Sequence, residues 1–204
     1  LWVISFRIFW LGASDDFATY SLPEVLARFR RIHPNVRLTV EVGLSRNLYD
    51  KLASGELDLV LGKRRIGDPE GELVSREKLS WVASPDYDFD ASSPLALAVY
   101  LKPCLYRSTV IEILQDAERP WSIVYTCPSL SGIRAAAIAG IAMTPLAEKY
   151  LTPDLCVVAP REDLPALPDM EFVLYRNSAT ETSATRELGN LLLKVRPLGI
   201  APWH

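Results

Sequence analysis

Residues 14–62 read SDDFATYSLPEVLARFRRIHPNVRLTVEVGLSRNLYDKLASGELDLVLG, and the order of patterns inside them decides the fold. The apolar run before Ser14 predicts a buried strand over residues 3–11 that gives way to a polar loop, Ser14-Asp15-Asp16. Leu22, Val25, Leu26 and Phe29 then recur at helical spacing. Ser21-x-x-Glu24 opens that helix as a capping box, with Pro23 in its first turn. His33-Pro34-Asn35 ends it, with His33 read as structural, and Val36, Leu38, Val40 and Val42 alternate as a strand. A second helix closes at Gly55, because glycine accepts the left-handed backbone that follows a last helical turn. Residues 56–61 form the next strand. Strand–helix–strand–helix–strand with short connections builds a parallel sheet, and such sheets bind ligands at the carboxyl ends of their strands.

The same grammar returns past residue 90. An apolar run over 95–100 and a loop over 101–107 lead to a helix with Val110, Ile113, Leu114 and Ala117 on one side. Pro120 breaks it, and residues 121–126 form a strand. Leu130-Ser131 opens a further helix that closes at Gly140, followed by a strand over 141–144. The four alanines of this helix (Ala135, Ala136, Ala137, Ala139) predict close packing against a sheet. Between the halves lie a polar turn (67–71) and two extended runs, 73–75 and 79–84. After them come a proline- and acid-rich linker (161–169), a strand over 170–176 and a helix over 187–195.

LPEVLARFRRIHPNVRLTVEVG, followed about a dozen residues later by GELDLVLG, resembles the effector-binding domain of LysR-type transcriptional regulators. PWSIVYTCPSLSGIRAAAIAGIAMTPL resembles the branch of that family that includes regulators of flagellar and exoenzyme genes. The resemblance runs from about Arg7 to Val195, loosest between Gly67 and Ser93. It implies an α/β fold of two Rossmann-like subdomains joined by a two-strand hinge, of the type 2 periplasmic-binding-protein kind. Residues 1–84 plus 170–204 would form subdomain I and residues 85–169 subdomain II, with the ligand cleft between them.

Bulk properties narrow the function. At 204 residues, 49% hydrophobic and 23% charged, the chain can bury a core, and its net charge of −3 argues against a nucleic-acid surface of its own. The resemblance therefore implies a sensing domain without its helix-turn-helix DNA-binding domain; there is no initiator Met, so the chain reads as part of a longer protein. Cys104, Cys127 and Cys156 are odd in number and widely spaced, which fits a reducing compartment. Two histidines cannot build a His-based metal site, so neither metal nor cofactor is expected. Residues 1–11 are too short to span a membrane and lack the basic leader of a signal peptide. Their aromatics (Trp2, Phe6, Phe9, Trp10) exceed the family pattern. No Gly-x-Ser-x-Gly, HExxH or Walker loop is present, and no enzyme activity is expected.

Four loops carry the candidate ligand-binding residues. By the resemblance, Ser14, Asp16 and Phe17 lie in a strand-to-helix loop where hydroxyls and backbone N–H groups hold a ligand's polar group. Asp16 departs from the Ser or Thr common there, and its carboxylate disfavours a dianion over a monoacid or neutral ring. Thr126, Pro128 and Ser129, with Cys127, hold the matching place in the second half, where Ser129 suits a helix N-cap. Ile141-Ala142-Met143 departs there from the family's glycine-rich pattern. Lys63-Arg64-Arg65 leaves the end of a strand: a solvated charge cluster is its ordinary meaning, and Lys63 or Arg64 is the candidate to reach a ligand. Cys104 and Tyr106 precede the second half's first helix; Tyr106 could stack on a ligand, and Cys104 reads more readily as a packed apolar side chain than as a redox sensor.

Together these readings describe the ligand-sensing domain of a cytoplasmic LysR-type transcription regulator, binding a small-molecule effector and mediating oligomerisation. The family pattern implies a homodimer, higher oligomers in the full-length protein, DNA contact only through an N-terminal domain, and no membrane partner. Helix 22–33 and strand 36–42 of one chain would lie against helix 108–117 and strand 122–126 of the other. The alternative is a transporter's solute-binding protein on the same two-lobed fold.

Overall fold

Alternation in β1 (Ile8–Ser14) sends Phe9, Leu11 and Ala13 into one hydrophobic layer and turns Gly12 toward the opposite face. In the computed structural model, which describes residues 8–90, 92–160 and 163–194, β1 is an inner strand of a five-stranded sheet. The sheet order is β2-β1-β3-β10-β4, where β2 is Arg37–Gly43, β3 Leu59–Arg65, β4 Glu72–Glu77 and β10 Met170–Arg176. β1 pairs in parallel with β2 (Leu11 opposite Val40) and with β3 (Ala13 opposite Leu61). Phe9, Leu11, Ala13, Leu59, Leu61, Phe172 and Leu174 share one face with Phe17, helix α2 (Leu22–Ile32) and helix α6 (Ser183–Leu193). Helix α3 (Ser45–Ala53) covers the other face, where Leu48, Leu57 and Val60 pack together. A β-carbon on Gly12 would stand 2.8 Å from the Leu57 side chain and 3.1 Å from that of Leu48 on α3, so glycine leaves room for both. His33 Nε2 meets Glu187 Oε2 at 2.8 Å, tying the end of α2 to α6 and fitting its structural reading.

By contacts the described chain divides into two units, 8–76 with 171–194 and 77–170. This differs from a boundary at residue 84. β5 (Leu79–Ala83) pairs antiparallel with β8 (Thr144–Ala147) and with β9 (Cys156–Val157), so its backbone hydrogen bonds lie in the second unit.

In that second unit β6 (Leu95–Tyr100) pairs in parallel with β7 (Trp121–Cys127), and Leu97 bridges in parallel to Met143, just before β8. The order β7-β6-β8-β5-β9 thus repeats β2-β1-β3-β10-β4, as the two similar halves of the sequence predict. Helix α4 (Leu105–Asp116) contributes Val110 and Leu114 to a core built on Trp81, Leu97 and Val99. Helix α5 (Leu130–Ile138) brings Ala136 against Ala98 and Ala142, the close approach its small side chains predict. Trp81 Nε1 donates to Pro165 O at 2.8 Å and Arg119 Nε to Asp163 O at 3.1 Å, fastening the irregular segment 163–169.

Several boundaries shift for local reasons. Asp15 and Asp16, expected in a loop, instead open a short helix α1 (Asp15–Tyr20), whose positive end suits them. Ser21 therefore ends α1 and begins α2 in one residue, with a helical backbone (φ −109°, ψ −24°) rather than the extended one a capping side chain needs. The expected Ser21–Glu24 capping box does not form. The box occurs instead at Thr182 and Thr185, which starts α6 four residues earlier than expected. α4 begins at Leu105 rather than 108, and the strand expected over 141–144 lies at Thr144–Ala147. Gly55 (φ +82°) and Gly140 (φ +68°) adopt the left-handed backbone expected of them. Residues 3–7, with Phe6, as well as Trp2 and Val195, lie outside the described residues; of the remaining early aromatics Phe9 is buried and Trp10 exposed.

Candidate functional site

In the first unit the chain leaves β1 through α1 and α2 on one face and returns from β2 to β3 through α3 on the other. The carboxyl ends of β1 and β3 therefore flank a topological switch point, where open α/β sheets bind ligands. Ser14 is the last residue of β1 and the residue preceding α1. It is 2% exposed, and its Oγ has no hydrogen-bond partner among the described residues. A buried hydroxyl left unpaired costs free energy unless something else completes it.

Beside it, Lys63 is fixed from three directions. Its backbone N–H donates to Ser45 Oγ at 3.1 Å, its carbonyl accepts from the Tyr49 hydroxyl at 2.8 Å, and its Nζ lies 2.6 Å from Asp16 Oδ2. Asp16 Oδ1 also accepts from the Phe17 N–H at 3.1 Å. The ion pair is buried, with side chains 8% and 1% exposed, and the Lys63 ammonium sits 5.3 Å from the centre of the Phe172 ring. Burial pushes the Tyr49 phenol upward, with Tyr175 adding to the shift, so Tyr49 stays a protonated donor. Gly62 makes this arrangement possible: a β-carbon there would stand 2.2 Å from Tyr49 Oη. Phe17 is buried against Phe172, the ring centres 5.7 Å apart.

Arg64 points elsewhere. Its Nε meets Glu171 Oε2 at 2.7 Å, and its guanidinium also donates to the carbonyls of Glu70 and Gly71. Arg76 Nε approaches the other oxygen of Glu171 at 2.9 Å. Arg64 foremost, with Arg76, holds the Glu171 carboxyl below the usual carboxylate range.

In the second unit Ser129 caps α5, its Oγ accepting from the Gly132 N–H at 3.3 Å. Thr126 and Pro128 next to it are exposed, and Cys127 Sγ lies 3.6 Å from Ser129 Oγ. Tyr106 is buried with Leu79 and Met170, and Cys104 is half-buried against the same cluster.

Of the sequence-predicted residues, Ser14, Asp16, Phe17 and Lys63 thus gather at one pair of strand ends, while Arg64 turns to Glu171. Thr126, Pro128 and Ser129 gather at the β7–α5 junction, and Cys104 and Tyr106 at the start of α4. Sequence reasoning missed Ser45, Tyr49 and Gly62. The glycine that ends GELDLVLG was the available signal for close approach; nothing in sequence ties Tyr49 to Lys63. The chemistry offered is recognition, a hydroxyl beside a neutralised ion pair. Among the described residues no group of His, Cys, Asp or Glu could hold a metal ion, and no helix is long and apolar enough to cross a membrane.

Comparison with known proteins follows the same lines. The family described as the LysR substrate binding domain matches residues 9–196. The HTH-type transcriptional regulator PecT of Dickeya dadantii is 32% identical over 178 residues, which are 87% of this chain and 56% of PecT. The chain thus spans little more than half the length of that relative. Among solved structures, the reduced form of OxyR from N. meningitidis shares the fold with a TM-score of 0.68 at 20% identity, covering 94% of this chain and 97% of that one. The effector-binding domain of QuiR in complex with shikimate does so with a TM-score of 0.71 at 12% identity, covering 93% and 96%.

Proposed function

This chain belongs to the LysR substrate-binding domain family, and from that premise we propose that it is the ligand-sensing domain of a transcriptional regulator whose effector is received at the carboxyl ends of β1 and β3. The observation that carries the reading is the buried Ser14 hydroxyl, without a partner among the described residues, at the switch point of the sheet. A donor and acceptor placed there awaits a ligand's polar group. Thr126, Pro128 and Ser129 hold the equivalent strand end of the second unit and are proposed as ligand contacts in their own right. An effector acts by preferring one conformation of the domain. DNA contact belongs to a helix-turn-helix outside these residues, in a cytoplasmic protein. The relatives matched are transcriptional regulators, which disfavours the transport alternative.

We further propose a homodimer formed through α2 and β2 of one chain and α4 and β7 of the other. β2 and β7 are the outer strands of their sheets, and each carries an exposed valine, Val42 at 49% and Val124 at 50%. Apolar edges of this kind are a liability unless covered, and the repeated elements allow twofold closure. Light scattering that shows only monomer at tens of micromolar would count against it.

A metabolite screen by thermal shift tests the effector site. Ligand at 100 times its dissociation constant should stabilise the fold by about 2.7 kcal/mol, raising the melting temperature by roughly 5–11 °C for a domain of this size. Hits should weaken in Ser14→Leu; hits unchanged in both Ser14→Leu and Ser129→Leu would place the site elsewhere.

A further inference from the structure

The charge state of the strand-end site narrows what it can accept. Asp16 was expected to repel an anionic ligand directly; the structure shows its carboxylate turned instead onto Lys63 at 2.6 Å. Ala13 stands opposite Leu61 in the parallel register, so Ser14 falls opposite Gly62 and Lys63 is the next residue of β3. Its neighbour Arg64 is committed to Glu171. The floor of the site therefore carries one positive and one negative charge that cancel, plus an unpartnered hydroxyl nine-tenths buried or more.

Among the described residues, Lys63 and Arg64 near the end of β3 each already hold a carboxylate that an anion would have to displace. An anion entering here must either pull Lys63 from Asp16, stranding a buried carboxylate, or lie in a poorly solvated space beside that carboxylate. A hydroxyl, carbonyl or amide faces neither penalty, because it needs only the hydrogen bond that Ser14 Oγ can give or take. We propose that the Asp16–Lys63 pair is a charge gate: it closes the β1–β3 site to anionic groups, so that the effector presents an uncharged hydrogen-bonding group to Ser14. This inference rests on the effector site proposed above and specifies the chemical class it selects.

Inorganic sulfate is the probe, followed by amide chemical shifts at pH 7 in the whole chain. Wild type should show no saturable sulfate binding at Ser14 or Lys63. Asp16→Asn, which removes the Asp16 charge from Lys63 without changing the shape of residue 16, should show saturable sulfate binding at these amides. Asp16→Asn combined with Lys63→Met should lose that gain. If Asp16→Asn does not fold, Asp16→Ser serves in its place. Saturable sulfate binding at these amides in wild type overturns the gate, as does a freed Lys63 that gains no sulfate affinity. An effector from the thermal-shift screen that sets a carboxylate on Ser14 would overturn it too. A sulfate gain that survives addition of Ser14→Leu would keep the gate and sink the effector-site reading, so the two fail separately.

Discussion

Replacing Lys63 by methionine should destabilise the first unit by about 3–5 kcal/mol, the usual consequence of removing one partner from a buried ion pair. The pair is 2.6 Å long, and Asp16 is 1% exposed, so the carboxylate left behind cannot turn to water without moving α1. Methionine keeps the length of the aliphatic stem, which confines the change to the charge. For a chain of this size each kcal/mol moves the melting temperature by roughly 2–4 °C, so a fall of roughly 6–20 °C is expected. Adding Asp16→Asn should recover most of the loss, because a buried pair exchanged for neutral groups of similar shape is close to neutral. The double-mutant cycle should therefore give a coupling at least as large as the stability recovered. Circular dichroism melts and urea titrations at pH 7 supply these values. Because the chain has two units, hydrogen exchange by mass spectrometry should locate the loss in peptides of β1 and β3 and leave β6 and β7 protected. Lys63→Met melting within about 2 °C of wild type, or a double variant as unstable as the two single losses combined, would refute the reasoning.

Gly62→Ala should cost about 1–3 kcal/mol by overpacking, and Tyr49→Phe should not rescue it, because the added β-carbon would also stand 2.7 Å from Tyr49 Cζ; urea titration of the three variants decides. Tyr49→Phe alone should cost about 1 kcal/mol for the lost bond to the Lys63 carbonyl. Glu171, whose carboxyl lies below its ordinary value of 4.5, binds fewer protons in the folded than in the unfolded chain. Its ion pairs therefore stabilise fully above about pH 4.5, and that contribution fades as the pH falls through the folded-state value. The stability gap between wild type and Glu171→Gln should be widest at neutral pH and narrow below pH 4.5; an equal gap at pH 7 and pH 3 would contradict this. Thr182→Ala should cost about 1 kcal/mol by removing the α6 capping box, read from thermal melts.

What the sequence made legible was periodic. Phe9, Leu11 and Ala13, or Val25 and Phe29, announce their faces because strand and helix repeat every two and 3.6 residues, and the glycines that end helices at Gly55 and Gly140 announce their backbone. The repeated half was visible for the same reason, and the parallel pairing followed from the short helical connections, while the order of the strands came from the structure. Caps and crossing points were less legible, because they depend on what a neighbouring element does. Ser21 carries the letters of a capping box, yet α1 ends on it and takes its backbone into the helical region. β5 reads as an extension of the first half, yet its hydrogen bonds go to β8 and β9.

The site shows the limit most clearly. Sequence marked Ser14, Asp16 and Lys63 as three separate candidates, each weighed by its own charge or hydroxyl. Their meaning lies in pairing: 47 positions separate Asp16 from Lys63, and only the parallel register of β1 and β3 brings them together. Once paired, the aspartate is no longer a lone charge but the means by which a buried lysine is neutralised. Gly62, Ser45 and Tyr49 then matter because they set the Lys63 backbone and so aim its ammonium at Asp16. Composition gave the net charge of the chain, but the charge a ligand meets is set by register, and register is a property of the fold.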